Sequence, residues 1–279
     1  MAGVGRVTVS ERRSMGAVTV RRPYYKDRMA RESVAARRAR AIQVFDRLDA
    51  AMPEAHIELD FTTPLQLVIA VILAAQCTDK RVNMITPEVF RRYPDAATLA
   101  GADSAELEKL IHSCGFFRAK ARSLKGMAAA LVEKYGGEVP RARADLAALP
   151  GVGPKTAGVV TIHIGGDPAF PVDTHVKRLS RRLGFTRALD PDHIEADLKA
   201  LVPQDRWAKG HQLLVWHGRR TCFARSPACD RCVVRELCPR IGVPKKTPKK
   251  AAGGAPRGAA VVPRRPVRRR APARSRRRA

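Results

Sequence analysis

LPGVGPKTAGVV, residues Leu149–Val160, is the most informative segment of the chain. Gly151 and Gly153 stand two residues apart, and Pro154 and Lys155 follow at once. Glycine adopts backbone conformations closed to other residues and lets a ligand's backbone come close. Proline suits the first turn of a helix, where its missing N–H has no intrahelical partner. A short helical turn at about 144–148 precedes the motif, and a helix from Pro154 to about Ile164 follows it. Such a corner aims unpaired amides at one point, and the helix start adds partial positive charge. An anion is favoured there, most simply a phosphate. A plain helix–helix corner is the simpler alternative. Leu149, Val152, Ala157, Val159 and Val160 favour the anion reading, because they can pack the two helices closely and leave the turn exposed.

Two residues near this corner have a bland and a sharp reading. Lys155 is either a solvated or phosphate-contacting lysine, or a nucleophile. An amine attacks a sugar or carbonyl carbon only when neutral, a form favoured by desolvation and by a positive helix start. Eighteen residues on, Asp173 opens PVDTHVKRLSRRLG. An aspartate before an amphipathic stretch is a good N-cap, and the sequence favours that role. Its sharper role is a carboxylate facing the lysine across a cleft, stabilising a developing sugar cation or shuttling protons. The two conflict only if the helix amides use the whole carboxylate. His175 reads as a support for these groups or a phosphate contact.

Outward from the corner the body is helical almost throughout. Helices are expected at about 30–51, Pro64–Gln76, Asp79–Arg92, Asp103–His112, Phe116–Tyr135, Asp173–Leu183, from Asp190, and Asp205–His217. Asp103 followed by Glu106 fits a capping box. No sustained period-two alternation appears, so the fold class is all-α. From about Val243 the chain is Pro, Ala, Gly, Lys and Arg, a composition that cannot bury a core and is expected to be disordered.

Of the formal net charge of +27, residues 1–40 carry +8 and residues 241–279 carry +14, which leaves +5 for residues 41–240. An ordinary globular body therefore carries two cationic arms, suited to a polyanion. The longest apolar run, Leu67–Ala75, is far short of a membrane span, and no secretory signal is present. The Arg-rich, acid-poor N-terminus leaves a mitochondrial presequence open, and Met29 is an alternative start.

Cys222, Cys229, Cys232 and Cys238 are spaced C-x6-C-x2-C-x5-C. Four thiols in so short a loop read as metal ligands in a reducing compartment. Structural zinc usually shows two tight pairs; one pair with two outlying cysteines better suits wrapping a cubane iron–sulfur cluster. Arg219, Arg220, Arg225, Arg231 and Arg235 surround the loop, which reads as a DNA-facing knob as readily as a redox centre. Cys77 and Cys114 lie in helical segments and read as packing residues.

On these motifs the chain resembles the endonuclease III family of base-excision DNA glycosylases. L-P-G-V-G-P-K-T-A is similar to the family's helix-hairpin-helix, V-D-T-H-V-K-R-L to its catalytic-aspartate segment, and the cysteine spacing to its [4Fe–4S] loop. LAAQCTDKRVN (73–83) and CGFFRAKA (114–121) match further segments, and the likeness covers roughly 30–240. It implies a helix-hairpin-helix DNA glycosylase fold, with two helical domains flanking a DNA cleft and a C-terminal iron–sulfur loop. A six-helix barrel would span 57–168. Residues 30–56 plus 169–242 would form the cluster domain, between a basic N-terminal extension (1–29) and a basic tail (243–279).

The resemblance makes Lys155 the nucleophile and Asp173 its partner carboxylate. Gln76 would fill the gap left by a flipped nucleotide and Phe116 would act as a wedge. Gly151, Gly153 and His175 would contact DNA, and the four cysteines would ligate the cluster. The implied enzyme is a bifunctional glycosylase and AP lyase, acting as a monomer on duplex DNA with damaged pyrimidines or abasic sites. A cytoplasmic, nucleoid-associated bacterial protein is expected, with no membrane partner. Pro154 stands where the family commonly has a basic residue and Gly158 where Asn is common, which bears on binding details. Two rival readings are the adenine-DNA glycosylase branch, against which Lys155 and the tail speak, and a non-catalytic DNA-binding module, against which the Lys155/Asp173 pair speaks.

Overall fold

Seven of the helix starts are set by a side chain that replaces a missing intrahelical partner. The structure is a computed structural model that describes residues 32–243, and among these there are eleven α-helices and no strand. Ser33 accepts from the Ala36 amide at 3.1 Å and starts α1 (Val34–Ala51). The expected start near residue 30 thus moves to Val34; the arms, the alternative start at Met29 and the tail beyond 243 lie outside the described residues. Thr63 and Pro64 open α2 (Pro64–Leu73), in which every residue from Leu67 to Leu73 is buried. A helix apolar on all sides belongs at the centre of a core. It ends three residues before the expected Gln76, because Gln76 itself turns left-handed at φ 53°.

Thr78 caps α3 (Asp79–Arg92), and a reciprocal Asp95/Thr98 capping box makes α4 (Ala96–Ala100), a helix absent from the expected set. Asp103 caps α5 (Ser104–Ile111) through the Glu106 amide at 2.9 Å, without a return bond from Glu106, so the expected box is half formed. A 3-10 turn (His112–Cys114) leads to α6 (Phe117–Tyr135). The corner follows as α7 (Arg143–Ala147) and α8 (Pro154–Ile164), then α9 (Thr174–Arg182) behind Asp173 and α10 (Pro191–Leu201) behind Asp190. The last expected helix is a 3-10 turn, Gln204–Arg206, running into α11 (Trp207–Arg220).

These helices bury two apolar cores. The first draws on α2 to α8, from Leu59 to Val160, with Leu67, Ile69, Leu73, Leu107, Leu124 and Met127 fully buried. The second joins α1 to α9, α10 and α11 and reaches Val234 in the cysteine loop. At its centre Phe45 stacks on Phe185 (6.0 Å between centroids) and meets the edge of Phe170 (6.2 Å). Cys114 belongs to the first core and Cys77 packs against it, in keeping with their packing role. No helix among the described residues is long and apolar enough to cross a membrane.

The two glycines of the corner differ. Gly151 sits at φ 77°, and a Cβ there would lie 2.5 Å from Ser123 Cβ and 2.8 Å from its Oγ, so α6 passes directly beneath it. Gly153 has φ −86°, and its Cβ would meet nothing within 4 Å. The expected need for positive φ thus holds for Gly151 alone, whereas Gly153 leaves room for a ligand. Gly151→Ala is expected to lower unfolding stability by about 1–3 kcal/mol, from the strained φ and the overlap with Ser123. Gly153→Ala is expected to cost under about 1 kcal/mol, the loss of a tolerable cap residue. Chemical denaturation of the two variants checks this; equal losses would contradict it.

Candidate active site and cluster loop

Gly153 holds the cap position of α8 and offers no side chain to it. The first bond of the helix runs from the Ala157 amide to the Gly153 carbonyl at 2.9 Å. The Lys155 and Thr156 amides precede it and have no intrahelical acceptor. Lys155 is exposed, so the desolvation that would favour a neutral amine is not supplied by the free protein. Asp173 caps α9 with one oxygen only: Oδ1 accepts from the Val176 amide at 2.7 Å, and Oδ2 makes no hydrogen bond among the described residues. The cap and a second role for the carboxylate are therefore compatible.

Lys155 and Asp173 form no ion pair with each other; their fields meet at His211 on α11. Its ring is buried and its Nδ1 donates to the Pro171 carbonyl at 2.9 Å. Burial drives His211 down to about 4; Asp173 opposes this, and His163 and Lys155 add to it. His163, on the helix that carries Lys155, donates from Nδ1 to the Val159 carbonyl (2.7 Å) and accepts from Gln212 at Nε2 (3.0 Å). Burial lowers its pKa as well. Burial thus disfavours the charged form of both rings, His211 buried and His163 half-buried.

A buried carboxylate fixes the surrounding backbone. Glu195 on α10 takes a two-pronged bond from Arg143 (2.8 and 2.9 Å), an ion pair from Lys199 (2.8 Å) and the Phe170 amide (3.1 Å). Burial alone would raise the Glu195 pKa, but Arg143 and Lys199 outweigh it and hold it low. Arg143 also reaches the Pro154 carbonyl at 3.4 Å, next to Lys155.

Gln76 and Phe116 are two of the three non-glycine residues with positive φ among the described residues, at 53° and 47°. Both are exposed, Phe116 by 67%. Strained, solvent-facing residues of this kind gather at ligand-contacting sites, and no residue pattern announces the strain. His175 is half-buried, and its Nδ1 accepts from Arg178 Nη2 at 3.1 Å. Arg178 also binds the carbonyls of Gly218 (3.0 Å) and Cys222 (3.2 Å). Gly218 is required there, because a Cβ would sit 2.7 Å from the His175 ring. The Asp173 segment and the cysteine loop are thus tied through one guanidinium.

Cys222, Cys229, Cys232 and Cys238 line one pocket with Leu179, Leu183 and Val234, about 430 Å³ of empty space counting its open mouth. A cubane takes one thiolate at each of four irons, and these four cysteines supply that number. Arg182 donates to Cys222 Sγ at 3.3 Å and to the Phe223 and Ala224 carbonyls at 2.7 and 2.6 Å, supplying positive charge to a thiolate cage. Arg178 and Arg182 are supports of the loop that the sequence reading does not single out; their helical spacing from Asp173 on α9 is the available signal. Of the arginines it does single out, Arg219 pairs with Glu58 and Asp79, Arg220 with Glu58, and Arg235 with Asp230.

The histidine pair sets an acid limit. An unfolded histidine binds its proton near pH 6.5, whereas folded His211 resists protonation down to about 4. The unfolded state therefore binds more protons in that window, and stability falls as pH drops from about 6.5 towards 4. His211→Gln is expected to flatten this dependence, as read from melting temperatures across the range.

A profile described as HhH-GPD superfamily base excision DNA repair protein matches residues 69–204, and one described as iron-sulfur binding domain of endonuclease III matches residues 222–238. That second match runs from Cys222 to Cys238, and the loop is the site of a [4Fe–4S] cluster. Endonuclease III of Synechocystis is 49% identical over 207 residues, 74% of this chain and 94% of the relative. Endonuclease III of Bacillus subtilis is 42% identical over 194 residues, 69% and 89% of the two chains. A solved structure of a trapped endonuclease III-DNA covalent intermediate aligns with TM-score 0.69 and 42% identity, over 72% of this chain and 95% of its own. A fold with an uncapped hairpin helix, a half-used capping aspartate and a four-cysteine pocket, and relatives matched over nearly their full length, agree: the chain belongs to the endonuclease III family of base-excision DNA repair proteins.

Proposed function

We propose that this chain is a bifunctional DNA glycosylase and AP lyase that removes oxidised pyrimidines from duplex DNA. The observation that carries this reading is Lys155 on an uncapped, amide-presenting helix start, together with a capping Asp173 whose second oxygen makes no hydrogen bond among the described residues. A similar solved structure is of a covalent endonuclease III–DNA intermediate, the species an amine nucleophile leaves on DNA.

In this reading the two apolar cores are the two domains, 57–168 and 30–56 plus 169–242, and DNA lies between them. The amides of Gly151, Gly153, Lys155 and Thr156 hold a backbone phosphate, and the half-buried His175 contacts another. Gln76 enters the gap left by the extruded nucleotide while Phe116 wedges the stack, since the scissile bond is out of reach inside a duplex. Lys155 Nζ, neutral once DNA has displaced its water, attacks C1′. The C1′–N bond breaks, and its electron pair leaves with the base, which takes up a proton. Asp173 Oδ2 faces the positive charge that grows on the sugar and relays protons. The sugar opens to an imine on Lys155. Loss of a C2′ proton then expels the 3′ phosphate by β-elimination, and water hydrolyses the imine. The cluster, when bound, cross-links residues 222–238 into a fixed DNA-facing loop. The cationic arms add further phosphate neutralisation, and a cytoplasmic monomer at the nucleoid fits this work.

Lys155→Ala is expected to bind lesion duplex, yet to release no base, nick no strand and form no borohydride-trapped complex. Lys155→Gln is expected to fail in the same way with packing preserved. Asp173→Asn keeps the cap but loses the charge, and its single-turnover rate is expected to fall on the order of a hundredfold or more. If Lys155→Ala still released base and lost only nicking, the nucleophile would be a water activated by Asp173.

Removing residues 243–279 is expected to weaken binding to undamaged duplex and to flatten its salt dependence, by roughly 0.9 in log–log slope for each phosphate no longer neutralised. The single-turnover rate at saturating enzyme is expected to stay put. A large fall in that rate would place part of the catalytic apparatus in the tail.

A further inference from the structure

Lys120 on α6 is a cation inside an apolar core, only 6% exposed. It makes no ion pair among the described residues. Its Nζ donates to two backbone carbonyls instead, Leu73 at 2.9 Å and Cys114 at 2.8 Å. A buried ammonium is tolerated only when its donors are satisfied, so it grips both carbonyls and holds them at a fixed spacing.

The two carbonyls belong to different elements. Leu73 is the last residue of α2, and the chain runs from it through Ala74 and Ala75 to Gln76. Cys114 closes the 3-10 turn, and the chain runs from it through Gly115 to Phe116. Cys114 lies in the first apolar core and Cys77 packs against that core, so the two segments also meet there. Gln76 and Phe116, exposed and left-handed, follow the two carbonyls held by this one lysine within a few residues of chain.

We propose that Lys120 is a positioning residue that sets the distance between Gln76 and Phe116, so that both enter the duplex together during base extrusion. This rests on the glycosylase reading given above. A lysine that merely closed a helix end would affect folding and leave the handling of paired and unpaired lesions alike. A brace between two wedges matters only where a base must be unstacked.

The test compares one oxidised pyrimidine in two duplexes, paired with its normal partner or placed opposite an abasic site. Extrusion costs least for a base that is already unpaired. Lys120→Met keeps the length and apolar packing of the stem and removes the two bonds. Its single-turnover rate on the paired lesion is expected to fall roughly a hundredfold, the cost of a misplacement of about 1 Å. On the unpaired lesion the rate is expected to stay near that of the wild type. Lys120→Arg, which retains donors and charge in a different shape, is expected to fall between the two on the paired lesion. Iron content and melting temperature are measured for each variant. If Lys120→Met does not fold, the ratio of paired to unpaired rates in Lys120→Arg serves in its place. Equal slowing on both substrates in a folded, iron-loaded variant would overturn the proposal and leave the glycosylase reading standing. A wild type inactive on both substrates would remove that reading, and the brace with it.

Discussion

The buried carboxylate of Glu195 accepts from Arg143, Lys199 and the Phe170 amide, and these partners lie on both sides of the candidate active site. Arg143 comes from the short helix before the hairpin and touches the carbonyl beside Lys155. Phe170 lies three residues before Asp173 in the chain. One charge thus fixes the backbone that carries the lysine against the backbone that carries the aspartate. A buried pair of this kind adds little net stability, yet losing one partner strands the other and costs about 3–5 kcal/mol. The two backbone segments are therefore joined by a contact that is costly to break. Burial disfavours the charged form of His163 and His211, so these rings add little charge to this region.

Helix starts do most of the remaining work, in two opposite ways. Asp173, like Ser33, Thr63 and Asp190, satisfies its helix with a side-chain oxygen, but its second oxygen stays uncommitted. Gly153 leaves its helix uncapped, and the amides there await an outside acceptor. One start leaves a carboxylate oxygen uncommitted; the other leaves a positive helix end open, which favours an anion. Arg178 joins the first of these to the cysteine loop through Gly218 and Cys222. The cysteine loop is thereby tied to the helix that Asp173 caps.

Much of this is legible in the sequence. Capping residues and helix-ending glycines mark most helices to within a few residues. The hairpin helix begins at Pro154 and α3 ends at Arg92 as expected, since proline and basic last turns are local signals. The helix behind Asp95 and Thr98 escapes notice because five residues offer too few positions to show a period. The end of α2 is overestimated because apolar pattern cannot show a left-handed turn at Gln76. Arg219 and Arg220 look like free DNA contacts of the loop; they pair with Glu58 and Asp79, far away in sequence, and no local pattern announces such a partner.

The all-α class, the hairpin corner and the four-cysteine loop are legible in the chain alone, as are Lys155 and Asp173 as candidates. Each rests on residue type and short spacing, and such signals survive without a fold. Only the tertiary structure decided that Gly151 is pinned against Ser123 while Gly153 is open, that Asp173 keeps one oxygen free, and that Gln76 and Phe116 are strained. It alone brought Lys120 to Leu73, and Glu195 to Arg143, across 47 and 52 residues of chain. The reason is physical: burial and hydrogen-bond satisfaction depend on which distant groups share a water-free space, and that is fixed only when the two cores close.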